Sequence, residues 1–182
     1  PHASARSLAG KSNRIIGIFI TNLNLSSKTR IFENVYFSPF TAASIDYAGE
    51  LGYNILVMMI NTKDDFRKVR DLFSNKTLSG GIFIGAPNNA AEIFDLVNAG
   101  YKLVIIDQEQ RHDALKGIHT IVNSNNFDGA YMATKHLIEG GHRAIAHICG
   151  DLGKFSGIKR LEGFKKAMNE AGLPINDAYI VH

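Results

Sequence analysis

Seven histidines and one cysteine are the side chains of this sequence from which a metal site or a nucleophilic centre could be built. The histidines show neither an H-E-x-x-H pair nor the cysteine–histidine spacing of a zinc site. His147 shares alternate positions with Ile145 and Cys149 in an apolar run. We therefore interpret His147 as a hydrogen-bonded histidine of a sheet and Cys149 as a small buried hydrophobe. Phosphate-binding loops, G-x-G-x-x-G turns and G-x-S-x-G elbows are also absent from the sequence, so we expect no metal, no cofactor and no enzymatic activity.

Polar side chains also follow several apolar runs, where they could bind a small ligand. Asn22, Asp107, Asn125 and the pair Gly150-Asp151 each follow such a run. In an open sheet of parallel strands, ligands bind outside the carboxyl ends of the strands. We therefore expect Asn22, Asp107 and Asn125 to contribute to one binding cleft.

The elements that would position these side chains are apolar runs that alternate with amphipathic stretches. The runs predict strands at residues 14–20, 54–60, 80–85, 102–107, 118–124, 143–149 and 178–181. Helical spacing, with acids or glycines at the ends, predicts helices at 37–53, 64–75, 89–100, 126–141 and 157–172. Wholly apolar strands that alternate with helices predict an α/β fold, in which helices cover both faces of a parallel sheet.

The composition is that of a globular chain. Hydrophobic residues make up 45% and charged residues 20%, which excludes disordered and collagen-like classes. No apolar run reaches the roughly 20 residues of a membrane helix, and PHASARSLAG at the start lacks the apolar stretch of a signal peptide. The single cysteine excludes a disulfide within the chain and suits a reducing compartment. We expect a cytoplasmic protein with no membrane partner.

The net charge of +3 lies in one short segment. Residues 1–14 contain Arg6, Lys11 and Arg14 without an acid, whereas acidic and basic side chains balance over the rest of the chain. Such a cluster of cations suits the phosphate backbone of DNA. Residues 4–8 have helix-forming side chains but are too few for a stable helix alone in water. The segment therefore indicates either a DNA contact or a frayed terminus.

Three stretches carry a resemblance to a known family. They are PHASARSLAGKSNRIIGI (1–18), NNFDGAYMATKHLIEGGHRAIAHICG (125–150) and KRLEGFKKAMNEAGLPIND (159–177). Between them stand GELGYNILV, SGGIFIGAP and AGYKLVIIDQ. In this order and spacing, the stretches resemble the LacI/GalR family of bacterial transcription regulators over essentially the whole chain.

The resemblance implies a type I periplasmic-binding-protein-like fold, in which two α/β subdomains bind an effector between them. On that basis we expect a hinge helix region at 1–11, a first subdomain at 12–141 and an incomplete start of the second subdomain at 142–182. The family also implies a homodimeric regulator, with a repressor preferred. Its partners would be operator DNA, bound through a headpiece and the hinge helix, and a small-molecule effector.

The resemblance assigns roles to residues of the effector cleft. Tyr36 and Phe37 align with the family's aromatic pair, which can stack on a sugar or a base. Arg160 aligns with the arginine that the family uses to hold effector hydroxyls or carbonyls, for which a guanidinium fork is suited. Ser156 and, as a weaker candidate, Lys154 lie on the loop just before Arg160.

The resemblance also assigns roles in the hinge. Ala5, Arg6 and Leu8 belong to the A-R-S-L core of the hinge helix, which the family orders in the minor groove of DNA. The leucine that matches Leu8 is an apolar wedge, and such a wedge kinks DNA by partly unstacking a base step.

Two departures from the family pattern concern the ligand. The loop at 22–33 is longer than the family's, so the identity of the effector cannot be transferred. Asn125-Asn126 replaces the family's Asp-Asn, and a neutral amide pair suits a polyol better than a cation. We therefore expect a sugar or a related metabolite. A sugar-binding protein of an ABC-type uptake system shares the fold, but the hinge segment and its charge favour the regulator.

Overall fold

The computed structural model describes residues 13–22, 35–109 and 118–182. The predicted DNA contacts at Ala5, Arg6 and Leu8 therefore lie outside the described residues. Two packed units make up the described part of the chain. We call them the N-terminal unit, which ends at residue 122, and the C-terminal unit, which begins at residue 126.

The N-terminal unit is a five-stranded parallel sheet with helices on both faces. Its elements in chain order are β1 (Ile15–Thr21), α1 (Phe37–Glu50), β2 (Asn54–Ile60), α2 (Asp65–Ser74), β3 (Gly80–Ile84), α3 (Ala91–Asn98), β4 (Leu103–Ile106) and β5 (His119–Val122). The strand order is β2-β1-β3-β4-β5. All pairings are parallel, with Ile18 level with Val57 on one side and Ile82 on the other. The predicted α/β fold class is confirmed.

Burial of both sheet faces explains why the strand sequences are apolar throughout. On one face, Phe19 and Phe83 pack with the buried side chains of α2 and α3, and their ring centroids lie 4.8 Å apart. On the other face, Ile18 and Ile20 pack with Phe37 and Phe40 of α1. The carboxyl ends of β1, β3, β4 and β5 consequently share one edge, where a ligand can meet them.

The C-terminal unit is smaller. It contains α4 (Asn126–Glu139), β6 (His147–Ile148), α5 (Phe155–Glu170), a 3-10 turn (Asp177–Tyr179) and β7 (Ile180–Val181), with β6 and β7 paired in parallel. The strands predicted at 143–149 and 178–181 are thus wrong in extent, since only two residues of each are paired. Ala144, Ala146 and Ile148 are exposed, so little apolar burial holds the remainder of the run at 143–149 in a sheet.

Helix α4 packs with the C-terminal elements. Its Ile138 joins the buried cluster of Ile145, Phe164 and Met168. A Cβ on Gly163 of α5 would collide with the backbone carbonyl of Phe127, so the two helices approach closely only because that position is glycine. The helix that we expected in the first subdomain therefore packs with elements expected in the second.

Helix boundaries differ from the predictions by at most three residues, whereas helix ends are usually uncertain by about one or two. Helix α1 ends at Glu50 and α5 runs from Phe155 to Glu170. Along α1, the predicted apolar side chains Ile45, Tyr47 and Leu51 are exposed rather than packed. No helix in the described ranges is long and apolar enough to span a bilayer.

Candidate functional site

A cavity of about 280 Å³ lies where the carboxyl ends of the strands in the N-terminal unit meet the start of α4 and α5. Its polar and charged lining comes from both units, whereas its apolar side chains all come from the N-terminal unit. The lining residues are Tyr36, Phe37, Ile84, Gly85, Ile106, Asp107, Val122, Ser124, Asn126, Lys154, Ser156 and Arg160.

Asp107 joins the two units across this cavity. Its Oδ1 accepts a hydrogen bond from the Ser156 backbone N–H at 2.7 Å, and its Oδ2 accepts one from the Ser156 hydroxyl at 2.6 Å. A carboxylate at this position satisfies a backbone N–H in the first turn of α5 and complements the helix dipole. Asp107 itself has a φ of +67°, a left-handed conformation that aspartate tolerates better than most residues. The predicted Asp107 and Ser156 are therefore brought into direct contact.

Two further hydrogen bonds cross between the units. The Lys154 ammonium donates to the carbonyl of Gly85 at 2.7 Å, and the Asn88 N–H donates to the carbonyl of Gly153, also at 2.7 Å. Gly85 has a φ of +78°, and a Cβ there would come within 2.9 Å of the Thr21 carbonyl oxygen. Glycine at this position therefore lets the end of β3 turn and approach β1 closely.

Arg160 lies on α5 and lines the cavity. Its Nη1 donates to Oδ1 of Asn126 at 2.9 Å. That contact uses one of the five guanidinium N–H donors, so the fork retains donors that a ligand could occupy. Asn126, which the sequence analysis noted only as part of an amide pair, is thus a cavity residue.

The aromatic pair lies at the start of α1. The Tyr36 and Phe37 ring centroids are 5.7 Å apart at 64°, and Tyr36 is 58% exposed. Phe37 is half-buried against Ile18 and Ile20. Phe37 therefore belongs partly to the core, whereas Tyr36 lines the cavity and stays more than half exposed.

Asn22 and Asn125 do not line the cavity. The Asn22 backbone N–H donates to the Ile60 carbonyl at 2.8 Å, which continues the ladder between β1 and β2. Asn125 is the N-cap of α4, because its Oδ1 accepts from the Asp128 N–H at 3.2 Å and its amide donates to the Asp128 carboxylate at 2.7 Å. Asparagine is a preferred N-cap residue, so this signal was present in the sequence.

Gln108 is a buried residue that the sequence analysis did not single out. Its side-chain carbonyl accepts from the Asn89 N–H at 2.7 Å, and its amide donates to the Pro87 carbonyl at 2.8 Å. Its backbone N–H and carbonyl both bond to the side chain of Asn123, at 3.1 and 2.7 Å. These bonds fasten the loops after β3, β4 and β5 together and hold Asp107 in place.

The interpretation of His147 as a sheet histidine is confirmed, since it lies in β6, but the hydrogen bonding expected of its ring is incomplete. Its Nε2 is buried without a hydrogen-bond partner, and the ring stacks on Phe164 with centroids 5.0 Å apart. Burial and the nearby Arg160 cation both lower the pKa of His147 below its usual value. Cys149, expected to be buried, is partly exposed. Within the described ranges, no group of three histidine, cysteine or acidic side chains is arranged to hold a metal ion.

A parallel α/β sheet with a cavity between two units is the architecture of periplasmic-binding-protein-like domains. Residues 30–182 match the family described as periplasmic binding proteins and sugar binding domain of LacI family. The chain belongs to this family.

Individual relatives agree with the family match. The transcriptional repressor PurR of Haemophilus influenzae is 30% identical over the whole of this chain, and PurR of Actinobacillus pleuropneumoniae is 31% identical over 99% of it. The chain spans about half the length of these curated relatives, 50% of each. The crystal structure of a regulatory protein of LacI family from Chloroflexus aggregans superposes with a TM-score of 0.75 at 23% identity, over 93% of this chain and 57% of that one.

Proposed function

We propose that this chain is the effector-sensing domain of a DNA-binding transcription repressor, and that the cavity between its two units is the effector site. The observation that carries the proposal is the convergence of Asp107, Arg160 and Tyr36 on one cavity lined by both units. Because a ligand there contacts both units, it can change how one unit lies against the other.

The effector we propose is a sugar. The family match is to a group that includes the sugar binding domain of LacI regulators. The Tyr36 ring can stack on the apolar face of a sugar ring, and the Arg160 fork can donate to hydroxyl or carbonyl oxygens. The cavity volume lies near the lower end of ligand pockets, which run from roughly 300 Å³ upwards, so it suits a monosaccharide.

The boundary between the subdomains is proposed to lie between β5 and α4, rather than after Gly141. The support is the packing of Ile138 in the same cluster as Phe164 and Met168, and the close approach of α4 to α5 at Gly163. On this division, Asn126 and Arg160 belong to one subdomain, and Asp107 bonds across to the other.

Regulation by the effector follows from the bonds between the units. The contacts from Asp107 to Ser156 and from Lys154 to Gly85 lie at the cavity wall. A ligand that bonds to any of these groups changes the free-energy difference between arrangements of the two subdomains. The hinge helix, with Ala5, Arg6 and Leu8, would transmit that difference to DNA.

A homodimer is part of the proposal. Tyr47 and Leu51, four positions apart at the C-terminal end of α1, lie on one side and are exposed, and an exposed apolar face of this kind suits a protein–protein contact. A second copy would cover this face, and its twofold symmetry would present two hinge helices to a pseudo-palindromic operator.

The proposed DNA binding is tested by selecting binding sites from random-sequence DNA with the intact protein. Gel-shift titration at fixed salt then measures the affinity for the selected sites. We expect a pseudo-palindromic site and an affinity that changes when a sugar binds. Leu8→Ala should weaken binding and reduce bending, whereas Met132→Ala, at an exposed position of α4, should leave the bend angle unchanged. Failure to enrich any site, or equal affinity and bending with Leu8→Ala, contradicts the assignment.

The alternative, a sugar-binding protein of an uptake system, has no specific observation in its favour. The curated relatives reported above are named as transcriptional repressors, and their match extends over essentially all of this chain. We likewise propose that the cavity binds its ligand without catalysing a reaction.

A further inference from the structure

Charge is unevenly distributed around the candidate effector cavity. Its lining contains two cations, Lys154 and Arg160, and one carboxylate, Asp107. Both oxygens of that carboxylate already accept hydrogen bonds from Ser156. The cavity lining therefore has an excess of positive charge.

Neither cation has a carboxylate partner in the described part of the chain. The ion pairs found there, such as Lys159 with Glu162 and Lys166 with Glu170, join residues on the outer surface of α5 and elsewhere. The bonds recorded for Lys154 Nζ and for the Arg160 guanidinium go to the neutral oxygens of Gly85 and Asn126. Both side chains are half-buried, and half-burying a charge without a counter-charge is unfavourable.

The geometry around Lys154 favours an anion over a neutral hydroxyl. An ammonium has three N–H donors, and one of them is used by the Gly85 carbonyl at 2.7 Å. The other donors have room in the cavity that Lys154 lines with Arg160. Hydrogen bonds between an ammonium or guanidinium and an oxyanion are about twice as strong as neutral ones.

The rest of the lining limits the size and nature of the ligand. Ile84, Ile106 and Val122 supply an apolar wall, which suits a carbon skeleton rather than a bare inorganic ion. Ser124 and Asn126 add neutral polar groups for hydroxyls. A volume of about 280 Å³ leaves room for one sugar ring with one charged substituent.

We propose that the effector is an acidic monosaccharide, a sugar acid or a sugar phosphate, whose oxyanion is bound by Lys154 with Arg160. This inference rests on the proposed function, since it names the ligand class of the same cavity. It changes the expectation of a neutral polyol, which came from the Asn125-Asn126 pair alone. The oxyanion would bond to Lys154 Nζ beside, or in place of, the Gly85 carbonyl, so ligand charge would act on one of the bonds between the units.

The test is calorimetric titration of the intact protein with matched sets of probes. Each set contains a neutral hexose, its uronate and its 6-phosphate, taken from the glucose, galactose and mannose series. We expect an acidic member to bind at least about tenfold more tightly than its neutral parent, which corresponds to about 1.4 kcal/mol. Preference for the uronate or for the phosphate identifies the source of the oxyanion.

Lys154→Met tests the residue, because it removes the charge and keeps an unbranched stem. We expect it to weaken binding of the acidic probe by about 10- to 100-fold, the usual range for a hydrogen bond to a charged group, and to change the affinity for the neutral parent far less, because the lost bond to Gly85 affects both probes alike. Lys166→Met is the matched control, since Lys166 pairs with Glu170 on the same helix away from the cavity. If Lys154→Met does not fold, the salt dependence of binding to the wild-type protein is measured instead. Added salt must then lower the affinity for the acidic probe and leave the affinity for the neutral probe unchanged.

Two results overturn the inference in distinguishable ways. If a neutral hexose binds as tightly as its acidic derivatives, or if Lys154→Met retains the acidic affinity, the oxyanion assignment is wrong and the proposed effector site stands. If no neutral or acidic probe binds, the sugar-sensing function falls together with the inference.

Discussion

The two units of the chain reach their folded state by different means. The N-terminal unit encloses large side chains such as Phe19, Phe83 and Ile93, which are fully buried beneath helices. The C-terminal unit has one small buried cluster, formed by Ile145, Phe164 and Met168. Burial therefore stabilises the N-terminal unit from within, whereas the C-terminal unit depends more on the contact between α4 and α5 and on its bonds to its neighbour.

The two units contribute different side chains to the site. Arg160, Lys154 and Ser156 come from the C-terminal unit, and Asp107 and Gly85 come from the N-terminal unit. On the proposed function, we expect an effector that contacts both sets of side chains to change how the two units lie against each other.

The largest expected effect is on the core of the N-terminal unit. Phe83→Ala removes a fully buried ring that packs on Phe19 and lies 6.1 Å from Phe66. Truncation of a buried phenylalanine costs about 3–5 kcal/mol, and urea unfolding followed by circular dichroism measures it. Met132→Ala, on the exposed surface of α4, is expected to change stability by less than about 0.5 kcal/mol. Equal effects of the two would contradict the contrast between the units.

A smaller effect is expected at the helix contact of the C-terminal unit. Gly163→Ala places a Cβ against the Phe127 carbonyl, and such overpacking costs about 1–3 kcal/mol. Gly129→Ala is the matched control, because a Cβ there meets nothing within 4 Å and alanine favours a helix by about 0.5–1 kcal/mol. Hydrogen exchange should show lost protection in α4 and α5 for Gly163→Ala, with β1 and β3 unchanged. Loss of protection throughout the N-terminal unit would mean that the units are not separate.

The smallest expected effect is that of acidic pH on the stability of the C-terminal unit. The pKa of His147 is lowered by burial and by Arg160, so the unfolded chain takes up a proton more readily than the folded one. The neutral ring's contribution to stability is therefore complete above the unfolded pKa, about 6.5, and is lost as the pH falls from there towards the lowered folded value. Between pH 7 and pH 5, the hydrogen-exchange protection factors of α5 and β6, which correct for the slower intrinsic exchange at lower pH, should fall, and His147→Phe should reduce that fall. An identical pH response in wild type and His147→Phe would show that His147 is not the cause of the pH dependence.

Acid has less effect on the N-terminal unit in the same range. There, Asp65 accepts hydrogen bonds from Lys68 and from the Asn61 and Thr62 backbone, which lower the pKa of its carboxyl to about 2. Its contribution is present above the unfolded pKa of about 3.8 and is lost only as the pH falls towards 2. As the pH falls, the C-terminal unit should therefore lose stability before the N-terminal unit does.

The sequence predicted the N-terminal unit better than the C-terminal unit for a physical reason. RIIGIFI and NILVMMI are apolar at every position because both faces of β1 and β2 are covered. RAIAHIC has a similar composition, but Ala144 and Ala146 are exposed and only His147 and Ile148 pair. A local apolar pattern cannot tell whether a covering element is present.

Several residues of the candidate site were predictable from the sequence, but the contacts among them were not. Asp107 follows a strand, and the family resemblance pointed to Arg160 and Tyr36, all of which line the cavity. Ser156 and Asp107 are 49 positions apart, and Lys154 and Gly85 are 69 apart, so only the fold brings them together. Gln108 gave no signal, since its role consists of bonds to backbone groups of other loops.

The central claim is that effector binding requires side chains of both units in one cavity. Calorimetry on the intact protein with the tightest-binding probe tests this claim directly. Arg160→Ala should weaken binding by about tenfold or more, because it removes the guanidinium fork on the C-terminal side. Arg67→Ala, on the exposed surface of α2 beside Asp64, should bind like wild type. Equal affinity of Arg160→Ala and wild type would contradict the account.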